Sequence, residues 1–470
     1  MTSAQGEGSR EALRALLRER LPATQIWCDT ESLQRYGRDW TRFYTPDPLA
    51  VIFPTTAVEV QEIVRFARDQ KLPVVPSGGR TGLSGAACAT AGELVVSFDK
   101  LNHIEPVNRV DQTLRCGPGA ITSVIQETAT AAGLIYPVDF AAAGSSQIGG
   151  NISTNAGGIN VIRYGMTRRW IAGLKVVTGT GELLDLNRGL LKNNSGYDLR
   201  HLFVGAEGTL GLIVEATLQL CPPPAQSRVL LLGVPTLDAL TELLITFREK
   251  LTLQAFEFFS ALALEKVLAR SDLPQPLSEP TPFYALIEVE APGNDDEEVA
   301  LALFETALEE GWAVDGVMSQ SREQAAQLWR YREEISETIS HWTPYKNDVS
   351  VRISEVPDFL RAVEEIVLHA YPELEIVWFG HIGDGNLHLN ILKPEALSVE
   401  EFKARCDTVS PQIFAEVQRR GGSISAEHGI GLLKKDYLTY TRSAEELTLM
   451  KGIKALFDPD CVMNPGKIFD

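Results

Sequence analysis

With 470 residues, 44% of them hydrophobic and 22% charged, the chain is long and apolar enough to bury the cores of two domains. A net charge of −19 argues against nucleic acid or an anionic membrane as partner, because both reward a basic surface. The six cysteines (Cys28, Cys88, Cys116, Cys221, Cys406, Cys461) are dispersed with no C-x-x-C, which excludes zinc-finger and iron–sulfur runs and predicts free thiols in a reducing compartment.

Residues 1–8 carry neither a basic n-region nor an apolar h-region, and no window approaches the roughly 20 apolar residues of a membrane span. A cytoplasmic protein without a membrane span is therefore expected. Helical spacing through Leu13, Leu16 and Leu17 predicts a packing helix over 9–20. A short strand over 50–54, a helix over 56–70 with its stripe at Val58, Val60, Ile63, Val64 and Ala67, and a strand over 73–76 make a β-α-β start.

Three unusual segments follow. Pro76-Ser77-Gly78-Gly79-Arg80-Thr81-Gly82-Leu83-Ser84-Gly85 is a glycine run after a strand, and such a run turns backbone N–H groups toward an anion. Its spacing fits neither G-x-G-x-x-G nor the P-loop, so it reads as a phosphate cradle or as a generous turn. Gly149-Gly150-Asn151-Ile152-Ser153-Thr154-Asn155-Ala156-Gly157-Gly158, with Arg163-Tyr164-Gly165 after it, alternates small residues and amides, so that backbone can approach a large flat ligand. The stretch 203–214, which contains Glu207, Gly208, Gly211 and Ile213, closes a domain before the linker Cys221-Pro222-Pro223-Pro224.

Beyond the linker the pattern predicts strands over 229–234 and 283–290 and helices over 237–250 and 297–310. A helix over 322–340, a strand over 349–353 and a helix over 356–370 follow, which suggests an antiparallel sheet covered by helices. Residues 377–390 then read as a hairpin with Asp384-Gly385 at its tip. That register pairs Gly383 with Asn386, Ile382 with Leu387, and His381 with His388. Asn390 shares the face of His388, and Ile382 and Leu387 point into a core. Two facing imidazoles are either a hydrogen-bonded pair or two metal ligands.

Ser425-Ala426-Glu427-His428-Gly429, at the end of another predicted strand, adds a carboxylate. His381, His388 and Glu427 make a donor set suited to Zn²⁺ or Mn²⁺ with open positions, which is the mark of a catalytic site. Strand neighbours face opposite ways, so His428 is left to act as a base or to pack in support of the ligands.

Together these segments resemble the metal-dependent, FAD-linked D-2-hydroxyacid dehydrogenases of the vanillyl-alcohol oxidase / p-cresol methylhydroxylase superfamily. The likeness runs from about Pro48 to Phe469 and includes Asn464-Pro465-Gly466-Lys467. It implies an α+β, two-domain flavoprotein. A PCMH-type FAD-binding domain would span 1–222 (core about 46–222), and an antiparallel-sheet cap, or substrate, domain 223–450 would carry the metal site. Residues 451–470 would return to the FAD domain.

By the same resemblance, Ser77, Gly78, Gly79, Arg80, Thr81 and Gly82 would hold the FAD pyrophosphate, with Pro76, Leu83 and Gly85 also binding the cofactor. Gly150, Asn151 and Asn155 with neighbouring backbone would line the ribityl and flavin region, and Gly144, Ser145, Gly149, Thr154, Gly157, Gly158 and Tyr164 complete the expected cofactor-binding set. Glu207, Gly208, Gly211 and Ile213 border the cofactor, with Ile213 near the adenine, and Asn464 reaches the isoalloxazine. Non-covalent FAD is expected, since neither His nor Cys occurs within 76–85 or 141–158.

The implied reaction is oxidation of a small anionic 2-hydroxy acid, with one divalent metal (Zn²⁺ first, Mn²⁺ second) and His428 as the proton acceptor. Arg332, Ser336 and Lys346 fall where the D-2-hydroxyglutarate dehydrogenases of the group place residues for a distal carboxylate, and Asn390 joins the substrate set. D-2-hydroxyglutarate is ranked first, with D-malate, D-lactate or glycolate, or a flavin subunit of a glycolate-oxidase-type complex, as alternatives. A soluble electron acceptor such as an electron-transferring flavoprotein, and a homodimer, complete the expectations.

Overall fold

The computed structural model describes residues 3–41 and 43–470, with side chains from residue 8 onward. They form two compact units, the first comprising residues through Gly158, Met166–Pro223 and Glu427–Asp470, the second Ile159–Gly165 and Pro224–Ala426. The chain thus re-enters the first unit at Glu427 rather than at 451. The reason is local: hydrogen bonds from Gly158 N to Glu427 and from Ile430 N and Gly431 N to Glu207 tie the segment to that unit.

In the first unit, Ala50–Ile52 and Val74–Ser77 flank the helix Ala57–Gln70, whose start is fixed by a capping box between Thr56 and Glu59. The two strands are not neighbours, because Leu94–Ser97 inserts between them, parallel to both, and Ile26–Trp27 closes the other edge. The three parallel strands are buried on both faces, whereas Trp27 of the edge strand is exposed, and Val60, Ile63, Val64 and Ala67 of the helix pack against Ala50, Ile52, Leu94 and Val96. A second four-stranded sheet runs in the order Thr113–Cys116, Gly211–Gln219, Ile171–Thr178, Leu183–Leu186, all antiparallel.

The second unit is built on a seven-stranded antiparallel sheet. Its order is Asp315–Met318, Ser227–Val234, Phe283–Glu290, Leu253–Ser260, Glu375–His381, Asn386–Leu392, Tyr345–Ser350. Helices Leu237–Lys250, Asn294–Glu309, Val356–Ala370 and Val399–Arg419 pack on the sheet and on one another. The helix expected over 322–340 breaks at Glu334 into Arg322–Glu333 and Ile335–Thr338 and ends in a 3₁₀ turn, Ile339–Trp342. The strand expected over 349–353 lies earlier, because Tyr345-Lys346-Asn347-Asp348 joins the ladder. Its polar residues hide the strand from a reading that seeks apolar alternation. The strand Leu253–Ser260, buried at every position, carries no alternation either.

The hairpin register is corrected. His381 pairs with Asn386 and Phe379 with His388, and Ile382, Gly383, Asp384 and Gly385 all belong to the turn. Docking decides this: Gly383 N donates to Phe256 O at 3.0 Å, and Val351 N donates to Gly385 O at 3.1 Å. Because the displacement is even, both histidines keep the same sheet face. Glu427 and His428 lie in a bend and not in a strand, so face alternation does not separate their roles.

All six cysteines are free. Burial pushes the Cys88 and Cys406 thiols up to about 12, and Cys116 is also raised by burial, whereas Cys461 is exposed. A thiol reagent at pH 8 is expected to modify Cys461 rapidly and these three only on unfolding. Rapid modification of Cys88 in the native protein would contradict this burial. Among the described residues, no helix is long and apolar enough to cross a membrane.

Candidate active site

Within the second unit, four adjacent strands bring polar residues to one face of the sheet. In strand pairs the residues directly opposite share a face. Thus Asp348 faces His388, and Lys346 faces Asn390. Phe259 faces Phe379, which places Glu257 on the side of His381. Phe259, Val377 and Phe379 pack against Trp329, Tyr331, Ile335 and Ile339, and this apolar floor excludes water from the neighbouring polar groups.

His381 Nδ1 lies 2.7 Å from Glu257 Oε1, and the His381 and His388 rings are 5.3 Å apart at 82°. His388 Nδ1 is 3.8 Å from Asp348 Oδ1, which also accepts from Asn386 Nδ2 at 2.8 Å. The Glu257 carboxylate in contact with His381 fixes that ring's orientation, as is usual for metal-binding histidines, while Asp348 stands as a more distant carboxylate neighbour of His388. Glu257 also pairs with Arg332, whose Nη2 is 2.8 Å from Oε2 and whose guanidinium lies 4.7 Å from the Phe379 ring centroid. Their side chains are 1% and 8% exposed, so the charges compensate each other in a poorly hydrated place.

Lys346 Nζ donates to Ser336 Oγ at 3.2 Å. The protein around its ammonium desolvates it and lowers its pKa, although the residue as a whole is exposed. Asn390 is buried and its Nδ2 donates to His388 O at 3.1 Å, so its amide braces the histidine strand.

The first unit holds a separate cavity. Its lining includes Pro76, Gly78, Gly79, Arg80, Thr81, Gly82, Gly149, Gly150, Asn151, Thr154, Glu207, Gly208, Gly211 and Ile213. The expected residues Ser77, Leu83, Gly85, Gly144, Ser145, Asn155, Gly157 and Gly158 are not among the lining residues, and Tyr164 belongs to the second unit. Ser77 instead bonds Tyr36 O, and Asn155 accepts from Arg168 N. Asn464 is buried, its Nδ2 donating to Ala86 O at 2.9 Å and Glu207 O at 2.7 Å.

The cavity suits a nucleotide cofactor. A Cβ on Gly79 would strike the Ser145 carbonyl, whereas one on Gly150 would meet open space. Buried Ser84 Oγ and Gln147 Oε1, both on the lining, have no protein hydrogen-bond partner. Buried polar atoms left in this state are what a polar ligand satisfies. Arg80 stacks over Tyr36, 4.5 Å from the ring centroid, and lies 3.5 Å from Asp99.

Glu207 stands at this cavity with a left-handed backbone, φ 50°. Burial pushes its carboxyl up to about 7, against the two N–H donors of Ile430 (2.6 Å) and Gly431 (2.7 Å), which lower it. Glu427 Oε1 accepts from Gly158 N at 2.6 Å in the same unit.

Sequence reasoning missed Glu257, Asp348, Asn386, Ser84 and Gln147. Glu257 had a signal, being the one charge in Leu253–Ser260. Such a carboxylate persists in a buried strand only with partners.

Comparisons with known proteins divide the chain at the same linker, although the second match runs on through the segment that returns to the first unit. Residues 48–187 match the family model "FAD binding domain", and 223–468 match "FAD linked oxidases, C-terminal domain". The D-2-hydroxyglutarate dehydrogenase of Stutzerimonas stutzeri (strain A1501) is 58% identical over 445 residues, 95% of this chain and 96% of that protein. That of Xanthomonas citri pv. viticola is 55% identical over 454 residues, 97% and 96% of the two chains. Among solved structures, p-cresol methylhydroxylase with substrate bound superposes with a TM-score of 0.73 at 15% identity, covering 100% of this chain and 98% of its own, a likeness of fold.

Proposed function

The chain belongs to the D-2-hydroxyglutarate dehydrogenase family of FAD-linked oxidases, in the vanillyl-alcohol oxidase / p-cresol methylhydroxylase superfamily, and from that premise we propose that it oxidises D-2-hydroxyglutarate to 2-oxoglutarate. The observation that carries this reading is the polar sheet face, where two imidazoles, each with a carboxylate neighbour, share a surface with Lys346 and with the Arg332 that Glu257 holds.

His381, His388 and Glu427 are the donors we assign to one divalent ion, Zn²⁺ before Mn²⁺, since two imidazoles and a carboxylate suit both. The glycine-lined cavity is assigned to non-covalent FAD. When bound, the ion supplies a Lewis acid that lowers the pKa of the α-hydroxyl, and the flavin supplies a two-electron acceptor at N5.

The chain's own residues do the rest. Glu257 holds the His381 imidazole in orientation, and Asp348 lies beside His388. His428 takes the hydroxyl proton as general base while the Cα hydrogen leaves as hydride, which yields the 2-oxo acid. Arg332 and Lys346 meet the distal carboxylate, with Ser336 steering the ammonium, and this favours a five-carbon dicarboxylate over lactate. A soluble carrier such as an electron-transferring flavoprotein is the electron acceptor this reading assigns.

The test is kcat/KM for D-2-hydroxyglutarate, D-malate, D-lactate and glycolate with a dye acceptor, before and after EDTA. D-2-hydroxyglutarate is expected to lead by at least tenfold, and activity lost to EDTA is expected to return with Zn²⁺ or Mn²⁺. A lead for lactate or glycolate removes the distal clamp, and activity that survives exhaustive chelation removes the metal.

A further inference from the structure

Glu207 is buried, yet its resemblance-based role beside the cofactor uses neither of its carboxylate oxygens. Oε1 accepts from Ile430 N and Oε2 from Gly431 N, two and three residues beyond His428. The backbone around this grip is specialised on both sides. Glu207 itself has φ 50°, between Gly205 at 81° and Gly208 at 73°. In an L-residue that conformation is disfavoured and persists where surrounding structure imposes it.

Across the contact, Gly429 has φ 80°, and a Cβ there would lie 2.8 Å from Glu207 Oε1. Gly431 has φ 51°, and a Cβ there would strike the Ser84 carbonyl. Both glycines therefore exist to let the segment lie against Glu207 and Ser84. At its other end the segment is fixed by Gly158 N on Glu427. Glu207 is also fixed through its main chain, its N donating to Ser153 O at 2.8 Å and its O accepting from Asn464 Nδ2 at 2.7 Å. Ser84, Ser153 and Glu207 all line the glycine-walled cavity.

We propose that Glu207 is a positioning residue for His428: one buried carboxylate clamps residues 430 and 431 to the cofactor cavity wall and so sets where the general base stands. The proposal rests on the reading of His428 as that base. It makes residues 427–431 a strap whose order depends on an acceptor that a neutral amide cannot replace, because a glutamine offers one acceptor oxygen to two N–H donors and turns an NH₂ group against one of them.

Two measurements on the flavin-loaded protein test it. Amide exchange at Ile430 and Gly431 is expected to accelerate at least tenfold in Glu207→Gln, with exchange in Ala57–Gln70 unchanged. Unchanged protection at Ile430 and Gly431 overturns the clamp whatever His428 does. In kinetics, Glu207→Gln is expected to lower kcat by about 10–100-fold with KM altered less than threefold and flavin content retained. The double variant with His428→Asn should be no slower than His428→Asn alone, since a group acting through His428 has nothing further to lose. Losses that multiply in the double variant, or loss of flavin with kcat per bound flavin intact, overturn the proposal. If His428→Asn by itself leaves kcat unchanged, the base assignment fails instead, and the exchange result still decides whether the clamp exists.

Discussion

Replacing Glu257 with alanine is expected to cost about 3–5 kcal/mol of stability and roughly 10–100-fold in metal affinity, the larger structural effect of any single change in the second unit. Two independent losses combine. Arg332, 8% exposed at its side chain, loses the carboxylate 2.8 Å away and is left as a buried, uncompensated cation over the Phe379 ring. His381 loses the 2.7 Å contact that fixes its ring.

A double-mutant cycle distinguishes this from simple loss of packing. Glu257→Leu combined with Arg332→Leu should be less destabilised than either single leucine variant, because removing both charges removes the desolvation penalty with the attraction. Urea unfolding followed by far-UV circular dichroism, with Zn²⁺ titration of the apo-protein, gives both quantities. A Glu257→Ala midpoint within error of wild type would show that Arg332 does not need the carboxylate, and unchanged Zn²⁺ affinity that His381 does not.

The largest catalytic effect is expected at His428. His428→Asn should lower kcat by about 10²–10⁴-fold while bound metal, the flavin absorption spectrum and substrate KM stay near those of the wild type. Asparagine keeps a polar side chain of similar reach but takes no proton at neutral pH, so the rise of kcat/KM with pH that a base produces should flatten. If the variant instead loses its metal at unchanged kcat per metal-loaded site, His428 is a ligand or a support for one and the base lies elsewhere. Since His428 and Glu427 occupy a bend, the chemical result decides between those roles where strand geometry does not.

Several parts of this design were legible because their signals are local. The glycine run from Gly78 to Gly82 reports a backbone that must bend close to a ligand, and it lines the cavity. The helix stripe Val60, Ile63, Val64 and Ala67 faces the core with the period a helix requires. His381 and His388 share a face although the expected register was displaced, since an even shift preserves strand parity.

What the sequence by itself determined, then, was part of the strand and helix pattern, such as the helix Ala57–Gln70 and the hairpin strands Glu375–His381 and Asn386–Leu392, the glycine loops, and the family to which the chain belongs. Tertiary structure alone decided their surroundings. Leu94–Ser97 enters between two strands that a β-α-β reading makes neighbours. The hairpin turn is set by Phe256 and Val351, and Glu257 reaches both His381 and Arg332 from 124 and 75 positions away in the chain. The physical reason is the same in each case. A buried charge or a docked turn is stabilised by partners brought together only after the chain has closed long loops, and such partners leave no periodicity in the residues around them.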